Sequence, residues 1–137
     1  MRTTRSVRFT EEVDKGVEAL ARRTGRDRSA VVNEILDEGL RMRRFPGIAF
    51  ADSASGRVAR LAGTGIKVWL LVRDYRDMDS DWDRLREAYH WLTEQQLRTA
   101  LAYAEAYPDE IDRRIDLDES WTPERVYAEY PFMRPRS

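Results

Sequence analysis

The feature that most restricts how this chain can fold is a short alternating segment near its start that has no partner strand. Val7 and Phe9 alternate with polar side chains between residues 4 and 9, and this period of two predicts a β-strand. A helical pattern follows at once, so no second strand lies within hairpin distance. Because a single strand is not stable alone, we expect it to pair with its copy from a second chain, which makes the protein a homodimer.

Two short amphipathic helices are predicted after the strand. Thr10 is the expected N-cap of the first, acidic residues occupy its first turn, and Gly25 is its expected end. Asp27 or Ser29 can cap the second helix, which ends in a run of arginines. Two helices of this length bury too little apolar surface to fold alone, which is a second reason to expect a dimer. The predicted apolar positions are Val13, Val17, Leu20 and Thr24 in the first helix and Val32, Ile35, Leu36 and Leu40 in the second.

The distribution of charge points to DNA as a partner of the N-terminal region. Residues 1–44 carry 11 Lys and Arg against 8 Asp and Glu, a net charge of +3, whereas residues 45–137 carry 13 against 17, a net charge of −4. A two-stranded ribbon fits the major groove, where Arg8 is the expected reader of guanine. The first amides of the second helix, near Arg28 and Ser29, are expected to hold a phosphate. The full set of predicted DNA contacts is Arg2, Thr4, Arg5, Ser6, Arg8, Arg26, Arg28 and Ser29.

The sequence RSVRFTEEVDKGVEALARRTGRDRSAVVNEILDEGL, residues 5–40, resembles the ribbon-helix-helix repressors of the MetJ/Arc/CopG type. The strand, the capped first helix, the TGRDRSAVV turn and the second helix follow the order and spacing of that family. The resemblance covers about the first third of the chain and implies an intermolecular β-ribbon that binds operator DNA. The alternative is a plain amphipathic helical hairpin with a solvated, arginine-bearing strand.

A second module is predicted to begin at Phe45-Pro46-Gly47, where the helical pattern breaks. Two short strands, residues 48–50 and 57–61, are expected to form a hairpin around residues 52–56. Gly63-Thr64-Gly65 predicts a further turn, and helical periodicity begins at Lys67.

The rest of the chain is predicted to be helical. Residues 93–96 form a capping box that opens a helix, and Pro108 ends or kinks this helix, with a last turn or two over residues 109–112. Thr122 and Pro123 predict one more short helix in an acidic and aromatic tail. Trp69, Trp82 and Trp91 are expected in the core. The other inward-facing positions are Val68, Leu71, Val72, Tyr75, Leu85, Tyr89, Leu97, Ala100, Leu101 and Ala104.

Residues 48–115 resemble an antitoxin-type domain, the domain of unknown function 433. The matching segments are RLAGTGIKVWLLV, residues 60–72, and LREAYHWLTEQQLRTALAYAEAYPDEID, residues 85–112. In that family a Gly-Thr turn leads into a helix, and two further helices have helix-turn-helix character. This chain departs from the pattern at Gly65 and Lys67, where Arg and Pro are common, and at His90-Trp91-Leu92, which replaces Pro-x-Leu.

Such proteins are often encoded beside PIN-like ribonuclease toxins and are inferred to be VapB-like antitoxins. The resemblance therefore implies a dimer that binds its own operator through the first module and neutralises the toxin through the remainder. Aromatic side chains anchor interfaces, and acidic ones can meet the basic residues that hold RNA. Alternatively, Trp121 and Tyr127 fold back on the core of the second module. The expected toxin-facing residues are Asp116, Asp118, Glu119, Trp121, Tyr127 and Tyr130.

Composition disfavours several other kinds of site. Cysteine is absent and His90 is the single histidine, so no metal and no cofactor is expected. Residues 77–83 lack the glycine of a calcium-binding loop. No nucleophile and base stand at a motif spacing, and we expect a non-enzyme. Without a signal peptide or a long apolar run, we expect a cytoplasmic protein with no membrane partner.

The predicted fold class is mainly α with short β segments. An N-terminal ribbon-helix-helix domain over residues 1–44 is followed by a small β-hairpin and a helix-turn-helix-like helical domain over residues 45–116, and by a C-terminal tail over residues 117–137. Two other functions remain open. One is a stand-alone repressor whose second domain binds a ligand or more DNA, and the other is a protein-binding module whose ribbon has lost DNA affinity.

Overall fold

The computed structural model describes residues 2–135, and the chain divides after Arg44 into two compact units. Residue 1 of the predicted first domain and residues 136 and 137 of the predicted tail lie outside the described residues. The described chain is mainly helical with one two-stranded antiparallel sheet, which confirms the coarse fold class. Unit 1 contains α1 (Glu11–Thr24) and α2 (Arg28–Arg44). Unit 2 contains β1 (Ile48–Ser53), β2 (Gly56–Leu61), α3 (Val68–Asp77), α4 (Trp82–Ala88), α5 (Glu94–Ala106), α6 (Pro108–Glu119), α7 (Pro123–Glu129) and a 3-10 turn (Pro131–Met133).

The ends of α1 are set by the residues that the sequence predicts. The Thr10 hydroxyl accepts a hydrogen bond from the Val13 amide at 3.2 Å, and acidic residues fill the first turn. Gly25 ends the helix with φ of 64°, a left-handed conformation that glycine adopts without steric cost. The Gly25 and Arg26 amides donate to carbonyls of the last turn of α1, so the connection to α2 is short and well satisfied.

The buried cluster of unit 1 is small. It consists of Val17, Ala21 and Val31, with Leu20 and Val32 packed against it. The unpredicted Val31 is fully buried, whereas Ile35, Leu36 and Leu40 of the predicted apolar face are exposed in this single chain. What covers this face stays a prediction. Two short helices touch over a limited length, and apolar positions farther along α2 find no cover within unit 1.

Residues 2–10, the N-terminal arm, are exposed and have no regular secondary structure in this single chain. The strand predicted over residues 4–9 is thus not formed here. A strand acquires its backbone hydrogen bonds from a neighbouring strand, and the prediction assigned that neighbour to a second copy.

The hairpin of unit 2 is longer and its turn tighter than the sequence predicts. Ser53 pairs with Gly56, which leaves only Ala54 and Ser55 in the turn. The Ser53 hydroxyl donates to the Gly56 carbonyl at 2.6 Å, and Gly56 has φ of 108°. The Arg114 guanidinium on α6 donates to the Ser55 hydroxyl and to the carbonyl of Arg57, both at 2.6 Å, and so fixes the hairpin to the helices.

The core of unit 2 forms around the fully buried ring of Tyr103 on α5. The rings of Phe45, Phe50 and Tyr107 surround it with centroid distances of 5.6, 6.4 and 4.8 Å. Its hydroxyl donates to the carboxylate of Glu110 at 2.5 Å, so the one polar atom of the ring is satisfied. The predicted core positions on α3, α4 and α5 are buried or packed against this cluster. Tyr103 itself was absent from the predicted core.

Helix α6 is a full helix rather than the predicted last turn or two. Pro108 occupies its first turn, where proline is tolerated, and the helix continues to Glu119, past the predicted start of the tail at residue 117. Two ion pairs hold α6 against α3, with Asp112 bound by Arg76 at 2.8 Å and Asp118 bound by Arg73 at 2.5 Å. The capping box at Thr93 and the short helix after Thr122 are confirmed.

Replacing Tyr103 is expected to destabilise unit 2 strongly. Tyr103→Ala removes a buried ring and should lower the free energy of unfolding by about 3–5 kcal/mol. Tyr103→Phe keeps the ring but removes the hydrogen bond from its hydroxyl to Glu110, and should cost about 1–2 kcal/mol. Urea denaturation at one fixed protein concentration measures both values. Tyr130→Ala, at an exposed tyrosine, is the control and should change stability by less than about 0.5 kcal/mol.

Candidate DNA-binding and partner-binding surfaces

The arm presents the predicted base-reading side chains to solvent. Thr4, Ser6 and Arg8 are exposed, and so are Arg2 and Arg5. The three arginines make no ion pair with any residue that the structure describes, so their charges are free to attract phosphate.

The two predicted phosphate contacts at the start of α2 are engaged within unit 1. Arg26 binds Glu34 at 2.9 Å. Arg28 forms an ion pair with Asp14 and a second one with Glu18 at 3.1 Å. The hydrogen bond to Asp14 raises the pKa of Arg28 above its usual value. These carboxylates are 8 to 14 residues away in sequence, so the pairs could not be predicted from the spacing of neighbouring residues.

Ser29 remains exposed in the first turn of α2. The amides of this turn have no intrahelical acceptor, which is the general reason that helix N-termini accept phosphate groups. Ser29 is therefore exposed, while Arg26 and Arg28 near it are paired with carboxylates.

Unit 1 carries an unusual amount of exposed apolar surface. Seven of the thirteen large hydrophobic side chains that are exposed among residues 2–135 belong to this unit, although it is less than half the size of unit 2. Leu40 is 68% exposed and Val7 is 67% exposed. The seven residues are Val7, Phe9, Val13, Ile35, Leu36, Leu40 and Met42.

The predicted toxin-facing residues fall into three groups. Trp121 and Tyr130 are exposed, and the guanidinium of Arg125 lies 4.5 Å from the centroid of the Trp121 ring. Tyr127 is half-buried under Arg134, at 5.8 Å. The acidic residues differ from one another, because Asp118 is bound to Arg73 on α3, whereas Asp116 and Glu119 are exposed without an ion pair among the described residues.

Sequence reasoning missed two exposed apolar residues at the end of the tail. Phe132 is 83% exposed, the most of any large hydrophobic residue described, and Met133 beside it is also exposed. The rings of Phe132 and Tyr130 are 6.1 Å apart, so the two aromatic groups form one surface. The sequence feature that could have revealed them is an apolar pair directly after Pro131 in an otherwise polar tail.

A further surface lies where α4 meets α5. An open cleft of about 440 Å³ is lined by side chains that include Asp83, Glu87 and His90. Trp91, expected in the core, is instead 61% exposed in the turn between the helices, because Leu92 takes the buried position. Glu94 at the start of α5 binds Arg98 through two hydrogen bonds, which lower the pKa of Glu94.

The carboxylates of this surface do not suit a nucleic acid. The exposed side of α5 carries Glu94 and Glu105, and the cleft adds Asp83 and Glu87. Phosphate would be repelled by these four carboxylates, which outnumber the one arginine of the cleft lining, Arg86, and Arg98 is paired with Glu94. Within residues 2–135, no group of three potential ligands could hold a metal ion. None of the helices described is long and apolar enough to cross a bilayer.

Buried Tyr89 connects this surface to the core. Its hydroxyl donates to Asp74 on α3 at 2.5 Å. Burial, and then the hydrogen bond to Asp74, raises the pKa of Tyr89 well above its ordinary value. The group therefore stays neutral, and its role is to fix the end of α4 on α3 rather than to exchange protons.

Comparison with known proteins finds a family model that matches part of unit 2. Residues 48–104 match the model of the family described as "Protein of unknown function (DUF433)". The match begins at β1 and ends within α5, and it confirms the resemblance expected there. No curated protein and no solved structure matches the chain. The segment from β1 to α5 is thus similar to DUF433 proteins, while unit 1, α6 and the tail lie outside the match.

Proposed function

We propose that this protein is a homodimeric DNA-binding antitoxin, which represses its own operator through unit 1 and neutralises a PIN-like ribonuclease toxin through unit 2. The observation that carries the proposal is the exposed apolar surface of unit 1 together with its exposed, arginine-bearing arm. The toxin assignment rests on the resemblance of residues 48–104 to the antitoxin-type family and on the exposed aromatic tail.

Dimerisation follows from the incomplete core of unit 1. Among the described residues of unit 1, the buried apolar residues are Val17, Ala21 and Val31, which is too little for an independent domain. A second copy would cover Ile35, Leu36 and Leu40 on α2, and pairing of the two arms would supply the missing strand partner. In that arrangement Val7 and Phe9 face the dimer core, and alternate residues face outward.

DNA binding follows from the residues that then face outward. Thr4, Ser6 and Arg8 would project from the ribbon into the major groove, and Arg8 can donate two hydrogen bonds to guanine. Arg2 and Arg5 would add sequence-independent attraction to the backbone. The two-fold symmetry of the dimer implies a pseudo-palindromic operator.

Toxin binding is assigned to the tail of unit 2. Trp121, Tyr130 and Phe132 are exposed, and aromatic residues are frequent anchors of protein interfaces. The two tail arginines that the structure describes, Arg125 and Arg134, lie over aromatic rings of the tail itself, and Glu119 is exposed without an ion pair among the described residues. A partner with a basic rim, as in a protein that holds RNA, would complement this surface.

A ligand-responsive repressor is the second candidate. The cleft of about 440 Å³ between α4 and α5 has the size of a small-molecule site and contains the single histidine of the chain. Extension of the DNA footprint by unit 2 is disfavoured by the carboxylates of the same surface.

Leu36→Glu is expected to prevent dimerisation. The substitution places a charge on the exposed apolar face of α2, where burial against a second copy would be costly. Analytical ultracentrifugation should show a dimer for the natural protein and a monomer for the variant. Trp91→Glu, at an equally exposed apolar residue of unit 2, should remain dimeric. A natural protein that is monomeric at micromolar concentration contradicts the proposal.

Arg8→Ala is expected to abolish specific operator binding and to leave the dimer intact. Loss of a bidentate contact to guanine costs about 1–3 kcal/mol at each site, and the dimer has two. A gel-shift titration with the promoter fragment upstream of the gene measures the affinity. Arg23→Ala removes the same charge from the exposed end of α1 and should weaken binding far less. Equal affinities of the Arg8 variant and the natural protein would disprove base reading by the arm.

Co-expression with each adjacent reading frame tests the antitoxin assignment. A tagged copy should co-purify with a product that arrests growth when expressed alone, and the complex should restore growth. Trp121→Ala combined with Tyr130→Ala should weaken the complex, whereas Trp91→Ala, at the other exposed tryptophan, should not. If no neighbour is toxic and none co-purifies, the ligand-responsive repressor becomes the better assignment.

A further inference from the structure

The guanidinium of Arg28 lies where three parts of unit 1 meet. It stands in the first turn of α2 and binds two carboxylates of α1, Asp14 and Glu18. Its Cζ atom lies 5.6 Å from the centroid of the Phe9 ring in the arm. One side chain therefore connects the arm to both helices.

We propose that Arg28 is a positioning residue rather than a phosphate contact, and that Asp14 and Glu18 withhold its charge from DNA. That Asp14 and Glu18 hold Arg28 is a claim about the protein without DNA. That they withhold its charge from DNA rests on the proposed DNA-binding function.

The first argument is one of charge and geometry. The two terminal nitrogens of Arg28 donate to different carboxylates, Nη2 to Asp14 and Nη1 to Glu18, so both ends of the planar group are used. One positive charge between two negative ones leaves a net negative site. A phosphate that approached Arg28 would have to displace a carboxylate and would be repelled by the other. The arm arginines Arg5 and Arg8 have no such partner among the described residues.

The second argument concerns the direction of the arm. Phe9 lies between Arg8, the proposed base reader, and Thr10, the N-cap of α1. The guanidinium over the Phe9 ring is attracted to the face of the ring and so restrains the end of the arm. In the proposed ribbon, adjacent residues would project to opposite faces, so an inward Phe9 would direct Arg8 outward. Arg28 would thus act on base reading through Phe9.

The binding of Arg28 by Asp14 and Glu18, here called the clamp, predicts a distinct NMR signature in the free protein. Hydrogen bonds at both ends hinder rotation of the Arg28 guanidinium, so its two Nη groups should give separate ¹⁵N resonances at low temperature, while those of Arg8 are averaged. Asp14→Asn/Glu18→Gln should average the Arg28 resonances. Averaged Arg28 resonances in the natural protein would overturn the clamp, whether or not the protein binds DNA.

The salt dependence of DNA binding tests whether the charge is withheld. Affinity for a short duplex of unrelated sequence is measured by fluorescence anisotropy between about 50 and 200 mM salt. Asp14→Asn/Glu18→Gln frees Arg28, and the slope of log affinity against log salt should steepen by about 0.9 for each additional phosphate that the protein neutralises. Arg28→Ala should leave the slope of the natural protein unchanged and should cancel the increase in the double variant.

A matched control separates this effect from a simple change of charge. Glu12→Gln removes a negative charge from the same helix at a residue that makes no ion pair among the described residues, so it releases no cation. Its slope should equal that of the natural protein. A slope that falls by about 0.9 in Arg28→Ala alone would show that Arg28 neutralises a phosphate and would overturn the proposal. If the natural protein binds no DNA, the proposed function fails, and the NMR result still decides the clamp.

Discussion

The buried ring of Tyr103 organises unit 2. It touches Phe45 before the hairpin, Phe50 on β1 and Tyr107 at the start of α6, and its hydroxyl is bound by Glu110 on α6. Elements that are distant in sequence meet at this one side chain. Arg114 and the ion pairs of Asp112 and Asp118 then fix α6 to the hairpin and to α3. The aromatic residues of the tail therefore follow directly after a helix that is fixed to the rest of unit 2.

Unit 1 is built on the opposite principle. Its helices bury three apolar residues and leave five large ones exposed, and the arm adds Val7 and Phe9. Local hydrogen bonds at Thr10 and Gly25 determine where α1 begins and ends, whereas little within the unit determines what the apolar faces of the helices pack against. Assembly with a second copy is the physical solution that we propose, and it would complete the core and the arm together.

Charge is arranged differently on the surfaces proposed for DNA and for protein. The arm has free arginines, whereas the arginines at the start of α2 are neutralised by carboxylates of unit 1. On unit 2, three carboxylates line the cleft between α4 and α5 together with Arg86 and His90, and Arg125 and Arg134 lie over aromatic rings. The arm, which is the element proposed to select the base sequence, has three arginines without an ion pair among the described residues.

Local chemistry made much of this arrangement predictable from the sequence. The caps at Thr10, Gly25, Thr93 and Thr122, the hairpin and the apolar faces of α3 to α5 all depend on residues within a few positions of one another. The similarity of residues 48–104 to DUF433 proteins could also be predicted from the sequence alone. Long-range packing decided the rest. Burial of Tyr103 and exposure of Trp91 depend on which helices meet, and the pairing of Arg28 with Asp14 and Glu18 depends on how α2 lies against α1. A residue's neighbours in space are set by the whole packed unit, so only the tertiary structure could show which charges are free and which apolar faces are uncovered.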